Sequence, residues 1–313
     1  MAAFVARRTA AGAFLVLVIS FLSYTLLSIP DLDVGRQLLG QNAAQELVDA
    51  KNAELGLDRP ALVQYLDWLA HAVRGDLGTS WFTSEDVLQA IANRLPVTLS
   101  LMVGVTLLTA VVSFLLGVWA GVRRGAVDRF VQIFSVIGYA LPNFLVTLVL
   151  VLVFAVHLRW FPAIGYVGLG ESFPGWLSTI ALPVTALSVG AVAGVAQQVR
   201  SSVIEVLRQD YVRTLRARGL PPSRIVFRHV LRNASAPALA VLGMQFVGLL
   251  GGAVLVEQIF GLPGIGSMTV TYTTRGDIPI IMALVMLTVI GVIAINLVVD
   301  ILIGWLNPKG RIA

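Results

Sequence analysis

The 313-residue sequence has no cysteine, two lysines, three histidines and only 12% charged residues. Without cysteine, disulfides, thiolate zinc sites and cysteine nucleophiles are excluded. A phosphate-binding P-loop places lysine directly after glycine, but Lys51 and Lys309 follow Ala50 and Pro308, so no such motif for ATP exists here. His71, His157 and His229 lie on separate segments and no His-Glu-x-x-His occurs, which leaves no readable catalytic metal site. Nor is there a Gly-x-Ser-x-Gly elbow to support a serine hydrolase.

What replaces charge is apolar sequence. Hydrophobic residues make up 57% of the chain and the mean hydropathy is +0.87, whereas soluble domains carry about 25% charged residues. Crossing the hydrocarbon core takes roughly 20 apolar residues. Six windows of that kind occur, at 10–29, 97–122, 130–156, 180–199, 234–256 and 278–299. Arg7 and Arg8 before the first window resemble the start of a signal peptide, but the apolar stretch is too long for one and no small-x-small site precedes Asp31. The expectation is therefore a retained span.

The net charge of +5 does not point to nucleic acid, because the charges are sorted by side. If both termini and loops 123–129 and 200–232 are cytoplasmic, 15 of the 22 Lys and Arg fall on that side. That bias follows the positive-inside rule and predicts cytoplasmic N- and C-termini. The windows carry almost no ionisable residues, whereas ion-driven transporters usually hold them in mid-membrane. Asn143, Gln245 and Asn296 are the neutral polar residues noted within the spans.

The chain divides into an N-terminus with span one (1–30), an extracytoplasmic helical segment (31–96), a five-helix core (97–306) containing a cytoplasmic loop (200–233), and a tail (307–313). The outer segment has ten acidic residues against five basic ones, and its 65 or so residues are too few for a robust core of their own. Within it, Asn42 is expected to cap a helix over 43–55 that stops at Gly56, and Asp58 precedes a helix over 60–73. Leu62, Leu66, Leu69 and Val73 form an apolar stripe on the latter, and a third short helix over 85–94 is expected to halt at Pro96. Trp160 and Phe161 read as interfacial anchors. The pairs Gly117/Gly121, Gly190/Gly194 and Gly248/Gly252 would permit close helix approach.

The loop from Asp210 to Ala234 is the most distinctive stretch. A short basic helix over 211–218 ends at Gly219, which supplies a left-handed residue, and Pro221-Pro222 stops its continuation. Ser223 is then expected to cap a second helix over 224–231. Tyr211, Val212 and Leu215 line one apolar side, and Ile225, Val226 and Val230 the other. Such an elbow suits a groove on another protein, and equally a positive-inside loop on anionic lipid.

The loop resembles the coupling motif of ABC-importer permeases. Gly219 falls on the motif glycine and Pro237 near the closing proline, although Arg213-Thr214-Leu215 stand in place of Glu-Ala-Ala. The run from Tyr211 to Leu220, followed by His229-Val-Leu-Arg-Asn-Ala234, is similar to the variant found in the peptide branch, the DppB/OppB-like permeases. Further similar stretches are Leu55-Gly-Leu-Asp-Arg-Pro60, Arg74-Gly-Asp-Leu-Gly-Thr79, Arg94-Leu-Pro-Val-Thr98, Glu257-Gln-Ile-Phe-Gly-Leu-Pro-Gly-Ile-Gly266, Arg275-Gly-Asp-Ile-Pro279 and Leu306-Asn-Pro-Lys-Gly-Arg311. The usual Pro-Gly-Asp-Pro after span one reads Ile29-Pro-Asp-Leu-Asp33 here.

The resemblance implies an all-α integral membrane fold with six transmembrane helices of the MetI-like ABC permease type, in a bacterial inner membrane. It implies half of a pathway for di- or oligopeptides, completed by a second homologous permease, two P-loop ATPase subunits that bind ATP and Mg, and an extracytoplasmic binding protein. The chain itself would hold no cofactor and would not be an enzyme. Coupling to the ATPase would fall to Asp210, Tyr211, Arg213, Thr214, Arg216, Gly219, Leu220, Arg228 and His229. The binding-protein or gate region would comprise Glu257, Phe260, Gly261, Pro263, Gly264, Arg275 and Asp277. A passive channel or a secondary transporter for a small polar solute is the alternative reading of the composition.

Overall fold

The computed structural model describes residues 2–29 and 33–306, with side chains from residue 7 onward. The segment 30–32, where the outer portion begins, and the basic tail from 307 lie outside the described residues. Most of the described residues are helical: α1 (Ala2–Ser28), α2 (Val34–Leu39), α3 (Gln45–Glu54), α4 (Ala61–Ala72), α5 (Val87–Arg123), α6 (Ala126–Ala140), α7 (Asn143–His157), α8 (Phe173–Leu207), α9 (Asp210–Ala217), α10 (Pro222–Ile259), α11 (Ile265–Arg275) and α12 (Ile278–Leu306).

Five of these, α1, α5, α8, α10 and α12, are each long and apolar enough to cross a membrane. The expected third span over 130–156 is instead a broken pair, α6 and α7, meeting at 99°. The cause is local. Pro142 disfavours helical backbone at the residue before it, Leu141 accordingly adopts ψ 122°, and Pro142 itself starts α7. The last turns of α7, Val151–His157, are π-helical.

Two further expectations are corrected. The short helix expected to halt at Pro96 is the first part of α5, which passes through the proline without ending. Asp86 starts it, its Oδ1 accepting from the Gln89 amide at 2.8 Å, and buried Val87 and Ile91 anchor the turns before the proline. The helix after Gly219 likewise does not stop near Leu231. It begins at Pro222, with no side-chain cap from Ser223, and runs through a π-helical stretch, Ile225–Val230, to Ile259. In the outer segment, α3 starts at Gln45 without an Asn42 cap.

Close packing separates the chain into two compact units. One comprises Met1–Pro96 and Ser267–Ile293. Here α4 lies against α1: Tyr24 Oη donates to Gln64 Oε1 at 2.8 Å, and Ser20 Oγ and Tyr65 Oη are 3.0 Å apart. Tyr24, Tyr65, Ile278 and Met282 form a small core flanked by Trp68, Leu69 and Trp81. The buried face of α4 is thus the one bearing Tyr65 and Leu69. Leu62, Leu66 and Val73 of the expected stripe face outward, 57%, 52% and 80% exposed. The aromatic face wins because each ring buries more area than a leucine and the Tyr65 hydroxyl finds a partner on α1.

The other unit comprises Val97–Gly266 and Ala294–Ala313 and is built around α8, whose apolar window is 72% buried. Glycines bring its neighbours close. A Cβ on Gly117 would stand 2.6 Å from the Val199 Cβ and 2.7 Å from the Ala196 carbonyl oxygen, and one on Gly121 would meet Val203 at 2.8 Å. Gly190 and Gly194 make looser approaches to Asn143 and Gln245, whereas Gly248 faces open space. The expected glycine pairing therefore holds most firmly on the α5–α8 seam.

Candidate functional site

The elbow around Gly219 is anchored from beneath and charged on top. Val212 of α9 and Ile225 and Val230 of α10 are buried in one cluster with Val195, Val199, Val203 and Val206 of α8. Tyr211, Leu215 and Leu220 pack against that cluster, and Asn233 Nδ2 donates to Tyr211 Oη at 2.9 Å. Gly219 turns the chain with φ +75°, and the amides of Gly219 and Leu220 bond back to the Arg216 and Leu215 carbonyls at 2.9 and 3.3 Å. This is the left-handed helix end that glycine allows.

Outward, the same elbow presents Asp210, Arg213, Thr214, Arg216, Arg218, Arg224 and Arg228, all exposed. His229 is half-buried. Arg213 Nη1 pairs with Asp210 Oδ1 at 3.3 Å, both side chains largely in solvent. Of the residues assigned to coupling, Tyr211 and Leu220 hold the elbow in place, and the charged residues with Thr214 form its outer face. Behind the elbow, Arg200 of α8 grips Asp128 of α6 in a two-pronged pair, its Nη2 2.9 Å from Oδ2. That contact was not anticipated from sequence, since the partners are 72 positions apart.

The residues assigned to the binding-protein or gate region fall in both units. In the α8-centred unit, Glu257 is fully buried at the end of α10. Its Oε1 accepts from Thr98 Oγ1 at 2.8 Å, and Thr98 Oγ1 in turn accepts from the Ile265 amide at 2.8 Å. A side chain at Gly264 would collide with the Glu257 carboxylate, and one at Gly266 would reach it at 2.9 Å. Gly261 turns at φ +60°, and buried Phe260 and Leu262 lock the loop into the core. Glu257, Phe260 and Gly264 thus shape the loop from within, and Gly261 and Pro263 form its exposed rim. In the other unit Arg275 is exposed, while Asp277 is buried and accepts from Ser80 Oγ at 2.6 Å and from the Trp81 amide at 3.4 Å.

A cavity of about 510 Å³ lies between α6 and α8, lined by Gln132, Ser135, Tyr139, Ala193, Gly194 and Gln197 among others. Of these, Gln132, Ser135, Tyr139 and Gln197 were not singled out from the sequence. The signal available was the spacing of Gln132, Ser135 and Tyr139 at i, i+3 and i+7, one face of a helix.

Two family descriptions match the chain. Residues 113–312 match the binding-protein-dependent transport system inner membrane component, and residues 1–102 match the N-terminal portion of such membrane components. The chain belongs to this family of multi-pass inner-membrane permeases. It is 35% identical over 312 residues to the probable peptide ABC transporter permease protein y4tP of Sinorhizobium fredii, covering 99% of this chain and 100% of that one. It is 36% identical to the oligopeptide transport system permease protein AppB of Bacillus subtilis and 35% identical to the di/tripeptide transport system permease protein DppB of Pseudomonas aeruginosa, with 99% of each chain covered in both cases. Among solved structures, an inward-facing form of the MetNI methionine ABC transporter aligns with TM-score 0.55 at 19% identity, covering 72% of this chain and 100% of that one. That likeness establishes the fold.

Proposed function

We propose that this chain is the permease subunit of an ATP-driven importer of di- or oligopeptides. It forms half of the membrane pathway with a second, homologous permease. Two P-loop ATPase subunits bind ATP and Mg and drive it, and an extracytoplasmic binding protein delivers the substrate. Both termini face the cytoplasm, and the chain itself carries no ATPase activity. The substrate class rests on the names of relatives that match it from end to end.

The observation that carries coupling is the elbow. An amphipathic helix whose apolar side is fixed to the ends of two long helices, and whose charged side is bare, can pass a push from a docked subunit into those helices as a rigid-body movement. Gly219 is its test, because open space surrounds the position where a Cβ would sit and only the backbone conformation forbids one. Gly219→Val should cost about 1–2 kcal/mol at the turn and uncouple ATP hydrolysis from uptake in the reconstituted complex. Gly219→Asn, whose side chain tolerates the left-handed region, should keep most coupling. Equal, wild-type coupling in both variants would remove the elbow from the mechanism, and peptide flux without nucleotide would replace the importer by a channel.

A further inference from the structure

The cavity between α6 and α8 carries a feature that packing leaves unexplained. Ser135 is only 7% exposed, and among the described residues its Oγ has no hydrogen-bond partner; Gln197 Oε1, on the facing helix, is also buried without one among them. An unmet buried polar atom costs about 1–3 kcal/mol, so two of them lining one cavity mark a place where an incoming group would supply the missing bonds. Gln245 reaches the cavity's edge, its Nε2 lying 3.0 Å from where a Gly194 Cβ would be.

The surroundings restrict what that group can be. Among the described residues no charged side chain lines the cavity, which argues against a free carboxylate, ammonium or metal ion as its occupant. Its volume falls within the roughly 300–1,000 Å³ of small-molecule sites. It adjoins the break at Leu141–Pro142, with Tyr139 and Ala140 of the last helical turn in its wall. Discontinuous helices inside membranes characteristically flank transported groups. The glutamine side chain is itself an amide, with the same donor and acceptor as the peptide unit.

We propose that this cavity is a station on the transport pathway that holds the uncharged main chain of the passing peptide. A peptide N–H would donate to Gln197 Oε1, and Ser135 Oγ would donate to a peptide carbonyl. Alanine and glycine at 193 and 194 keep the wall low enough for the backbone to approach. This inference rests on the peptide-importer reading and adds to it where and through which groups the substrate is held.

The test uses the complete importer in proteoliposomes, with radiolabelled trialanine as probe. Ser135→Ala combined with Gln197→Leu should lower ATP-dependent uptake at least tenfold, while ATP hydrolysis stimulated by the loaded binding protein stays within twofold of wild type. A role in packing alone would depress both together, and uptake within twofold of wild type would overturn the proposal. Because the chain has no cysteine of its own, Ser135→Cys offers a second measurement that does not depend on the double variant folding. A hydrophilic methanethiosulfonate should modify it in the complex, and excess trialanine with ATP should slow that reaction at least threefold. Absence of labelling in every nucleotide state, or labelling that trialanine leaves unchanged, would also overturn the proposal. If the wild-type complex takes up trialanine, any such failure belongs to the cavity alone; if it takes up no peptide, the importer reading falls and takes this inference with it.

Discussion

A buried carboxylate surrounded by donors is a compromise that one proton can shift. Burial raises the Asp277 carboxyl above its ordinary value, opposed by hydrogen bonds from the Ser80 hydroxyl and from the amides of Trp81, Ile280 and Phe82. The folded chain therefore keeps the proton to higher pH than the unfolded chain does. Between the two pKa values folding takes up protons, so this group's contribution to stability falls as pH rises through that window and stays at its lowest above it. Ser80→Ala removes the 2.6 Å donor, which raises the carboxyl further. The expected cost is about 1–3 kcal/mol at a pH above that window, shrinking at a pH below it as Asp277 takes up its proton. Asp277→Asn should flatten this part of the pH dependence, because no charge remains to be buried. Thermal unfolding in detergent at both pH values, for wild type and the two variants, reads the difference directly. A Ser80→Ala penalty equal at both pH values would show that the carboxylate is not the group being stabilised.

At the scale of helices, glycine and proline act by position, which explains what the sequence could and could not reveal. The anchors of the elbow, Tyr211, Val212, Leu215, Ile225, Val226 and Val230, were readable from apolar spacing beside a glycine followed by two prolines, and all pack inward. Prolines within or beside the apolar windows do not all act alike. Pro96, Pro183 and Pro237 remain inside helices, while Pro142 ends α6 because Leu141 takes the extended conformation. Local sequence does not distinguish the cases, since neighbouring helices can satisfy the carbonyl that a proline leaves bare. Gln132, Ser135 and Gln197 were missed for a related reason: the cavity needs α6 and α8 together. The glycines permit a paired measurement. Gly117→Ala drives a Cβ into the Ala196 carbonyl and Val199 and should destabilise the solubilised chain by about 1–3 kcal/mol. Gly251→Ala, on the same kind of helix but with open space around it, should be neutral or stabilise by up to about 1 kcal/mol. If both lowered the unfolding temperature alike, loss of glycine as such, and not the α5–α8 approach, would be the cause.

For the molecule as a whole, the proposed importer takes its energy and its cargo from other chains, so the bare surfaces of this one are where they would dock. The basic outer side of α9 is one such surface. In the other unit, α4 turns Tyr65 inward and leaves Leu62, Leu66 and Val73 in the open. On the proposed orientation α4 belongs to the extracytoplasmic segment, where exposed leucines are suited to meeting the binding protein. Deleting residues 42–73 would test this poorly, because it also strips Gln64 and Tyr65 from their partners Tyr24 and Ser20 on α1. Leu62→Asp with Leu66→Asp changes the exposed face alone. Substitutions at such exposed positions usually alter stability by no more than about 0.5 kcal/mol, so the fold should persist. In proteoliposomes the double variant should require at least fivefold more loaded binding protein for half-maximal uptake, while ATP hydrolysis without binding protein remains at the wild-type rate. The separation matters, since a folding defect would lower both activities and a docking defect only the first. An unchanged requirement for binding protein would assign these leucines to lipid or solvent and leave the loop from Phe260 to Gly264 as the next surface to test.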